Sequence, residues 1–309
     1  MFEARCMVIS LAYFFLLYSS LSALVCLVGN LFGDRLRKRS ANLLFALRIM
    51  PLAVSVSVTL GIIVPSFLLL EPRSIDESLG GVLVTLGLCC LSLFFWGLSR
   101  ALIAQMTTSK ALAAWLSGAS QIEMSTRVPV FRTCRDLPPV IVSGVWKPRI
   151  LVSEAALGLL TPAELRTALR HETAHVRHFD NLRKLLFRFS AFPGMARLEA
   201  AWSEAAEVAA DDAAVSSFTD ALDLASALIK LSKLSPIQVS PDLTTALLSD
   251  SLSLRLERLF AWDKKRKSEG RSKKRLYTLL VALTAILCIV STYADLLLRV
   301  HAVTEWLVR

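Results

Sequence analysis

The residues with the clearest capacity for chemistry are His171-Glu172-Thr173-Ala174-His175. On a helix, two histidines four apart lie about 40° apart in azimuth and about 6 Å apart along the axis. Two imidazoles on one face can then share a single zinc ion, while Glu172, on the same surface, can take a proton from an attacking water. The pattern also arises by chance, so its setting matters. Three of the chain's 4 histidines gather here, flanked by Arg170 and Arg177; the rival reading is a solvated helix face with incidental histidines. Catalytic zinc usually keeps three protein ligands and one open position. His178 is nearly aligned with His171 but about 10 Å further along the axis, so it is expected at the surface or in a supporting role. The extension that adds a third histidine after a glycine turn is absent, because His178 and Asn181 stand at those positions. Downstream, Ser203 to Asp212 reads as an alanine-rich, acid-studded helix. Glu207 is expected to complete the metal site, with Glu204 as the alternative, and Asp211, one turn beyond Glu207, to hydrogen-bond a ligand histidine.

These groups need a scaffold. Thr161-Pro162-Ala163-Glu164 has the pattern of a capping box with proline in the first helical position. Apolar residues from Leu165 to Leu186 extend that helix to about Ser190. Pro193 and Gly194 then let the acidic helix fold back antiparallel. Val128–Phe131, Val140–Val142 and Ile150–Val152 read as short strands between proline and glycine turns, and one of the last two could take a substrate as an added strand. Ala111–Leu116 reads as a short helical piece, and Asp220–Leu234 and Thr244–Trp262 as core-facing helices.

The rest of the chain is membrane-like. Of 309 residues 54% are hydrophobic, mean hydropathy is +0.55, and yet 19% are charged, so the charges are segregated. Spans are expected at about 7–33, 49–70, 79–99 and 276–298, with Pro51 and Pro65 kinking the second. The first is too long for a cleaved signal peptide. The 6 cysteines show no CxxC spacing, which argues against thiolate metal sites and disulfides. Arg35, Arg37, Lys38 and Arg39 follow the first span, and a basic linker at 264–275 precedes the fourth. By the positive-inside rule both flank the cytoplasm, leaving both termini external. The net charge of +10 thus reads as topology signal and contact with anionic headgroups, with no direct nucleic acid expected. The expected order is a membrane region at 1–99, a cytosolic domain carrying the histidine pair at 100–263, the linker, the fourth span and a short external tail at 299–309.

With those residues in place, the sequence resembles the BlaR/MecR-type integral membrane zinc metallopeptidases, the fifty-sixth metallopeptidase family, and more distantly the CAAX-processing membrane zinc peptidases. The likeness rests on His171, Glu172 and His175 and on Glu207-Val208-Ala209-Ala210-Asp211. It extends to Pro139–Gly144, Lys147–Val152 and Asp180. The resemblance implies a mainly α membrane protein: four transmembrane helices with an inserted α+β, gluzincin-like zinc peptidase domain. It also implies zinc as cofactor on His171, His175 and Glu207, Glu172 as the catalytic base, and Asp211 and Asp180 as supports. The antibiotic sensors of that family continue into an external penicillin-binding domain, whereas this sequence stops at Arg309, so β-lactam sensing by this polypeptide alone is not expected. The partner expected instead is a cytosolic regulatory protein such as a winged-helix repressor, or the chain itself; a homodimer stays open. The alternative is a catalytically silent signalling scaffold, which has no need of Glu172. An intramembrane protease is disfavoured by the charges from Arg170 to Lys184.

Overall fold

The computed structural model describes residues 2–37, 39–71, 80–124, 126–134, 138–234, 244–246, 252–262, 297–299 and 302. Most of the fourth span, the basic linker and most of the tail fall outside the described residues. The chain packs as two compact units: one takes in 1–28, 49–96 and 266–309, the other 29–48 and 97–265.

Among the described residues, three helices are long and apolar enough to cross a membrane: Phe2–Leu31, Ala41–Leu70 and Gly81–Leu116. The first is α1 (Phe2–Leu31), followed by the short α2 (Gly33–Arg37). The second is composite. α3 (Ala41–Val58) carries Pro51 inside it and passes through a π-helical turn, Thr59–Ile63, into α4 (Val64–Leu70). Pro65 has no N–H for Gly61 and its ring crowds that carbonyl, and a widened turn absorbs both defects without breaking the helix. The third, α5 (Gly81–Leu116), is one 36-residue helix, so Ala111–Leu116 is its end and not a separate piece. Nothing in Ser99–Leu116 breaks a helix. At 1.5 Å per residue α5 is about 54 Å long, well beyond a hydrocarbon layer of about 30 Å, and its tail is free to pack on protein.

That tail covers one face of a five-stranded sheet. The strands are β1 (Ser120–Ile122), β2 (Val130–Thr133), β3 (Val140–Ser143), β4 (Arg149–Ser153) and β5 (Thr244–Ala246), in the order β1-β2-β4-β3-β5. β2 and β4 run parallel and the other pairs antiparallel. Alternation divides the two faces. Ile141 and Leu151 pack against Leu112, Trp115 and Leu116 of α5. Val130, Val140, Val142, Ile150 and Val152 face the opposite way, into the main core. β3 and β4 are both internal, so the expectation that one of them accepts an added strand fails: each already pairs on both edges. The expected helix over Thr244–Trp262 divides into β5, captured by β3, and α11 (Leu252–Phe260).

The main core is built from α6 (Glu154–Leu159), α7 (Pro162–Arg177) and α10 (Phe218–Ser232) against the sheet. α7 begins with both halves of the capping box: Thr161 Oγ1 accepts from the Glu164 N–H at 3.3 Å, and Glu164 Oε2 accepts from the Thr161 N–H at 2.8 Å. Glu164, buried, also accepts from Lys230 Nζ at 2.8 Å and from the Ser226 hydroxyl, which ties the start of α7 to α10.

The expected continuous helix to Ser190 does not form. α7 ends at Arg177, Phe179 adopts a left-handed conformation (φ 56°), and α8 (Asp180–Phe189) sets off in a new direction. A 65%-exposed aromatic ring with positive φ is an uncommon arrangement, costing of order 1–2 kcal/mol. α9 (Ala196–Ala214) returns after Pro193 and Gly194, the latter at φ 87°. The α8–α9 turn is held by Arg48, whose guanidinium donates to Ser190 Oγ (3.1 Å), to the Ser190 carbonyl (2.9 Å) and to Glu199 Oε1 (2.9 Å). Arg48 is 2% exposed.

Candidate metal centre

α7 presents two surfaces. Leu165, Ala168 and Leu169 enter the core, while His171, Glu172 and His175, all buried, share the rim that packs on α9. α9 answers with Glu207 and Asp211, four apart on its own buried face. Donor atoms of His171, His175 and Glu207 lie within 4.8 Å of one another, a group able to hold a metal ion. Nε2 of His171 is 3.0 Å from Nε2 of His175. Glu207 Oε2 lies 3.5 Å from the former and Glu207 Oε1 3.7 Å from the latter.

The outward nitrogens are engaged. His175 Nδ1 lies 2.7 Å from Asp180 Oδ2, an interaction in which the ring N–H donates. His171 Nδ1 lies 2.9 Å from Asp211 Oδ1, a charge contact off the line of a straight hydrogen bond. With protons on both Nδ1 atoms, two Nε2 lone pairs face each other beside a carboxylate, and such a triangle calls for a cation between its corners. Two imidazoles and one carboxylate suit zinc. Two further observations fit an ion and a water here. Neither oxygen of Glu172 has a hydrogen-bond partner among the described residues, and Glu172 is fully buried.

Without a metal the charges settle accordingly. Burial opposes protonation of His171, but Asp211 and Glu207 outweigh it and lift the pKa to about 9. For His175 burial prevails and the pKa falls. Burial, reinforced by Glu207, raises Glu172 to about 8. Burial also works against Asp211, yet His171 and Arg255 bring it down to about 2.

Of the expected participants, the structure brings together His171, Glu172, His175, Glu207, Asp211 and Asp180. Glu204, the alternative ligand, is turned away and lies 3.5 Å from Arg37. His178 caps the end of α7 and stands outside the donor group. Asp180 reaches His175 because of the break: residues 175 and 180 are adjacent only when the chain turns at Phe179. Asn181 donates to the Gly144 carbonyl at 3.2 Å, anchoring the same turn to the β3–β4 hairpin. Gly144 (φ 100°) leaves no room for a side chain.

Arg255 of α11 was missed. It is 1% exposed; its Nε and Nη2 donate to the two Asp211 oxygens at 2.8 and 2.6 Å, and Nη1 lies 3.1 Å from Glu207 Oε2. A signal existed, since Arg255 sits four before Leu259 on the apolar face of an amphipathic segment, where a lone cation needs buried acids. Lys184 of α8 also feels Glu207, Asp180 and Glu172, though burial holds its pKa below the usual lysine range.

No curated protein matches the chain. The family model of BlaR1 peptidase M56 matches residues 79–259, more than half of the sequence and the whole of the stretch that carries the histidine pair, the acidic helix and Arg255. A buried His-His-Glu group capable of holding a metal, in a chain with three membrane-length apolar helices, agrees with that match: the protein belongs to the BlaR1 peptidase M56 family.

Proposed function

We propose that the protein is a membrane-anchored, zinc-dependent endopeptidase that cleaves a cytosolic regulatory protein, such as a winged-helix repressor, or its own chain. The observation that carries this reading is the closed triangle of His171, His175 and Glu207 with Asp180 and Asp211 behind the two rings. His171, His175 and Glu207 hold the ion, which when bound supplies Lewis acidity toward the scissile carbonyl and an activated water. Asp180 and Asp211 fix the rings with Nε2 directed inward. Glu172, buried beside the two rings with neither oxygen hydrogen-bonded among the described residues, takes the proton of the attacking water and returns it to the leaving nitrogen. The α+β body around this site is gluzincin-like in this reading, with the pair of ligands on α7 and the third on α9. The domain faces the cytoplasm, on the side marked by Arg35, Arg37, Lys38 and Arg39, and both termini lie outside. A fourth span completes the anchor.

The test is the purified full chain with a candidate repressor, assayed for fragments, beside a zinc determination. About one zinc per chain is expected. Glu172→Ala should keep the metal and lose cleavage, and Glu207→Ala should lose both. Cleavage surviving Glu172→Ala would overturn the mechanism; wild-type chain that never binds zinc would leave a scaffold role.

A further inference from the structure

A second feature lies near the start of α9, lined by none of the residues of the metal group. A cavity of about 360 Å³ opens between the end of α1, α2 and the first turns of α9. Its floor is small: Gly29 and Gly33 on one side, Ala200 and Ala201 on the other. A Cβ built on either glycine meets nothing within 4 Å, so the glycines leave this space vacant without being needed for a backbone turn. Two arginines line it, Arg37 from α2 and Arg197 from α9. Arg197 has no ion pair among the described residues, and Arg37 has only the long 3.5 Å contact with Glu204, between groups 60% and 39% exposed. Such a contact is weak enough for a better anion to replace.

The position of the cavity indicates what fills it. It begins where the apolar run of a membrane-length helix ends, and the neighbouring Leu31 and Phe32 are 68% and 45% exposed. Exposed apolar residues directly before a pair of arginines match the boundary between acyl chains and headgroups, where phosphates are concentrated. We propose that this cavity is a binding site for the phosphate-bearing headgroup of an anionic phospholipid, gripped by Arg37 and Arg197, with its acyl chains leaving beside Leu31 and Phe32. The site is distinct from general attraction to a charged surface, because it needs the vacant space as well as the charge. It does not depend on the peptidase reading.

The test is titration of the detergent-purified full chain with short-chain phosphatidylglycerol, read by native mass spectrometry. Arg37→Gln/Arg197→Gln should weaken binding more than about tenfold, since each change removes a charge-assisted hydrogen bond to the phosphate. Gly29→Leu/Gly33→Leu, which fills the cavity and leaves every charge in place, should weaken it comparably. Arg35→Gln/Arg39→Gln removes the same charge outside the cavity and should cost less than about threefold; circular dichroism of each variant checks the fold. Equal losses from the two arginine pairs, or no loss from the glycine pair, would reduce the effect to diffuse surface electrostatics and overturn the site. Phosphatidylcholine should bind weakly, and inorganic phosphate should fail to displace the lipid at matched concentration. Displacement by phosphate would make free phosphate the ligand and overturn the lipid assignment.

Discussion

Removing the carboxylate of Asp180 tests whether the helix break at Phe179 exists to serve the metal group. Asp180 is 2% exposed and accepts from His175 Nδ1 at 2.7 Å. A buried hydrogen bond to a charged group contributes about 1.5–3 kcal/mol, and about 1.4 kcal/mol corresponds to tenfold in a binding constant. Asp180→Asn, which keeps an acceptor and loses the charge, is therefore expected to weaken zinc binding about tenfold. Asp180→Ala, which leaves the ring N–H unsatisfied and the imidazole free to turn, should weaken it about a hundredfold, in line with the usual range for such supporting residues. The assay is competition for zinc between the full chain and a chromogenic chelator, with thermal unfolding run in parallel. Arg183→Gln is the control, since Arg183 lies 3.9 Å from the other Asp180 oxygen and does not touch His175. If both Asp180 variants bind zinc within threefold of wild type while Arg183→Gln does the same, the carboxylate does not position the histidine and the account of the break fails.

Other outcomes follow from the same geometry. Burial works against the Glu164 charge, but Lys230, Ser226 and Thr161 outweigh it and hold its pKa at about 2 instead of 4.5, so its stabilisation is fully present above pH 4.5 and is lost as pH falls toward 2. Thermal unfolding between pH 5 and 3 should therefore decline less steeply in Glu164→Gln than in wild type, the wild-type advantage at neutral pH being at most roughly 3 kcal/mol; parallel curves would refute the linkage. Phe179→Gly should leave the melting temperature unchanged or raised by a few degrees, because relief of the left-handed strain outweighs the added freedom of the unfolded chain, whereas β-branched Phe179→Val should lower it. A lower melting temperature in the glycine variant would mean that the exposed ring packs on something. Arg255→Met should destabilise the fold by about 3–5 kcal/mol in chemical denaturation, because Asp211 and Glu207 would keep their buried charges without the cation between them. A loss below 1 kcal/mol would show that water replaces Arg255 there.

Several of these residues were legible in the sequence. The histidine spacing, the capping box at Thr161 and the four-residue interval from Glu207 to Asp211 are local regularities, and a helix converts such spacing into geometry without outside help. Long apolar runs announce membrane helices for the same reason, since an isolated segment must satisfy its own backbone in hydrocarbon. Tertiary contacts decided the rest. The periodicity from Leu165 to Leu186 gave no warning of a left-handed residue, because an exposed Phe179 forfeits its preferred backbone only when Asp180 and Asn181 gain His175 and the Gly144 carbonyl in return. Thr244–Ala246 is neutral between helix and strand by composition, and the open edge of β3 made it a strand. The position of Arg255 on the apolar face of its segment called for buried acids, and only the fold showed that these are Glu207 and Asp211 of α9. A sequence states which groups a helix can align. Which distant charges must be neutralised, and at what backbone cost, is settled only where the elements meet and water is excluded.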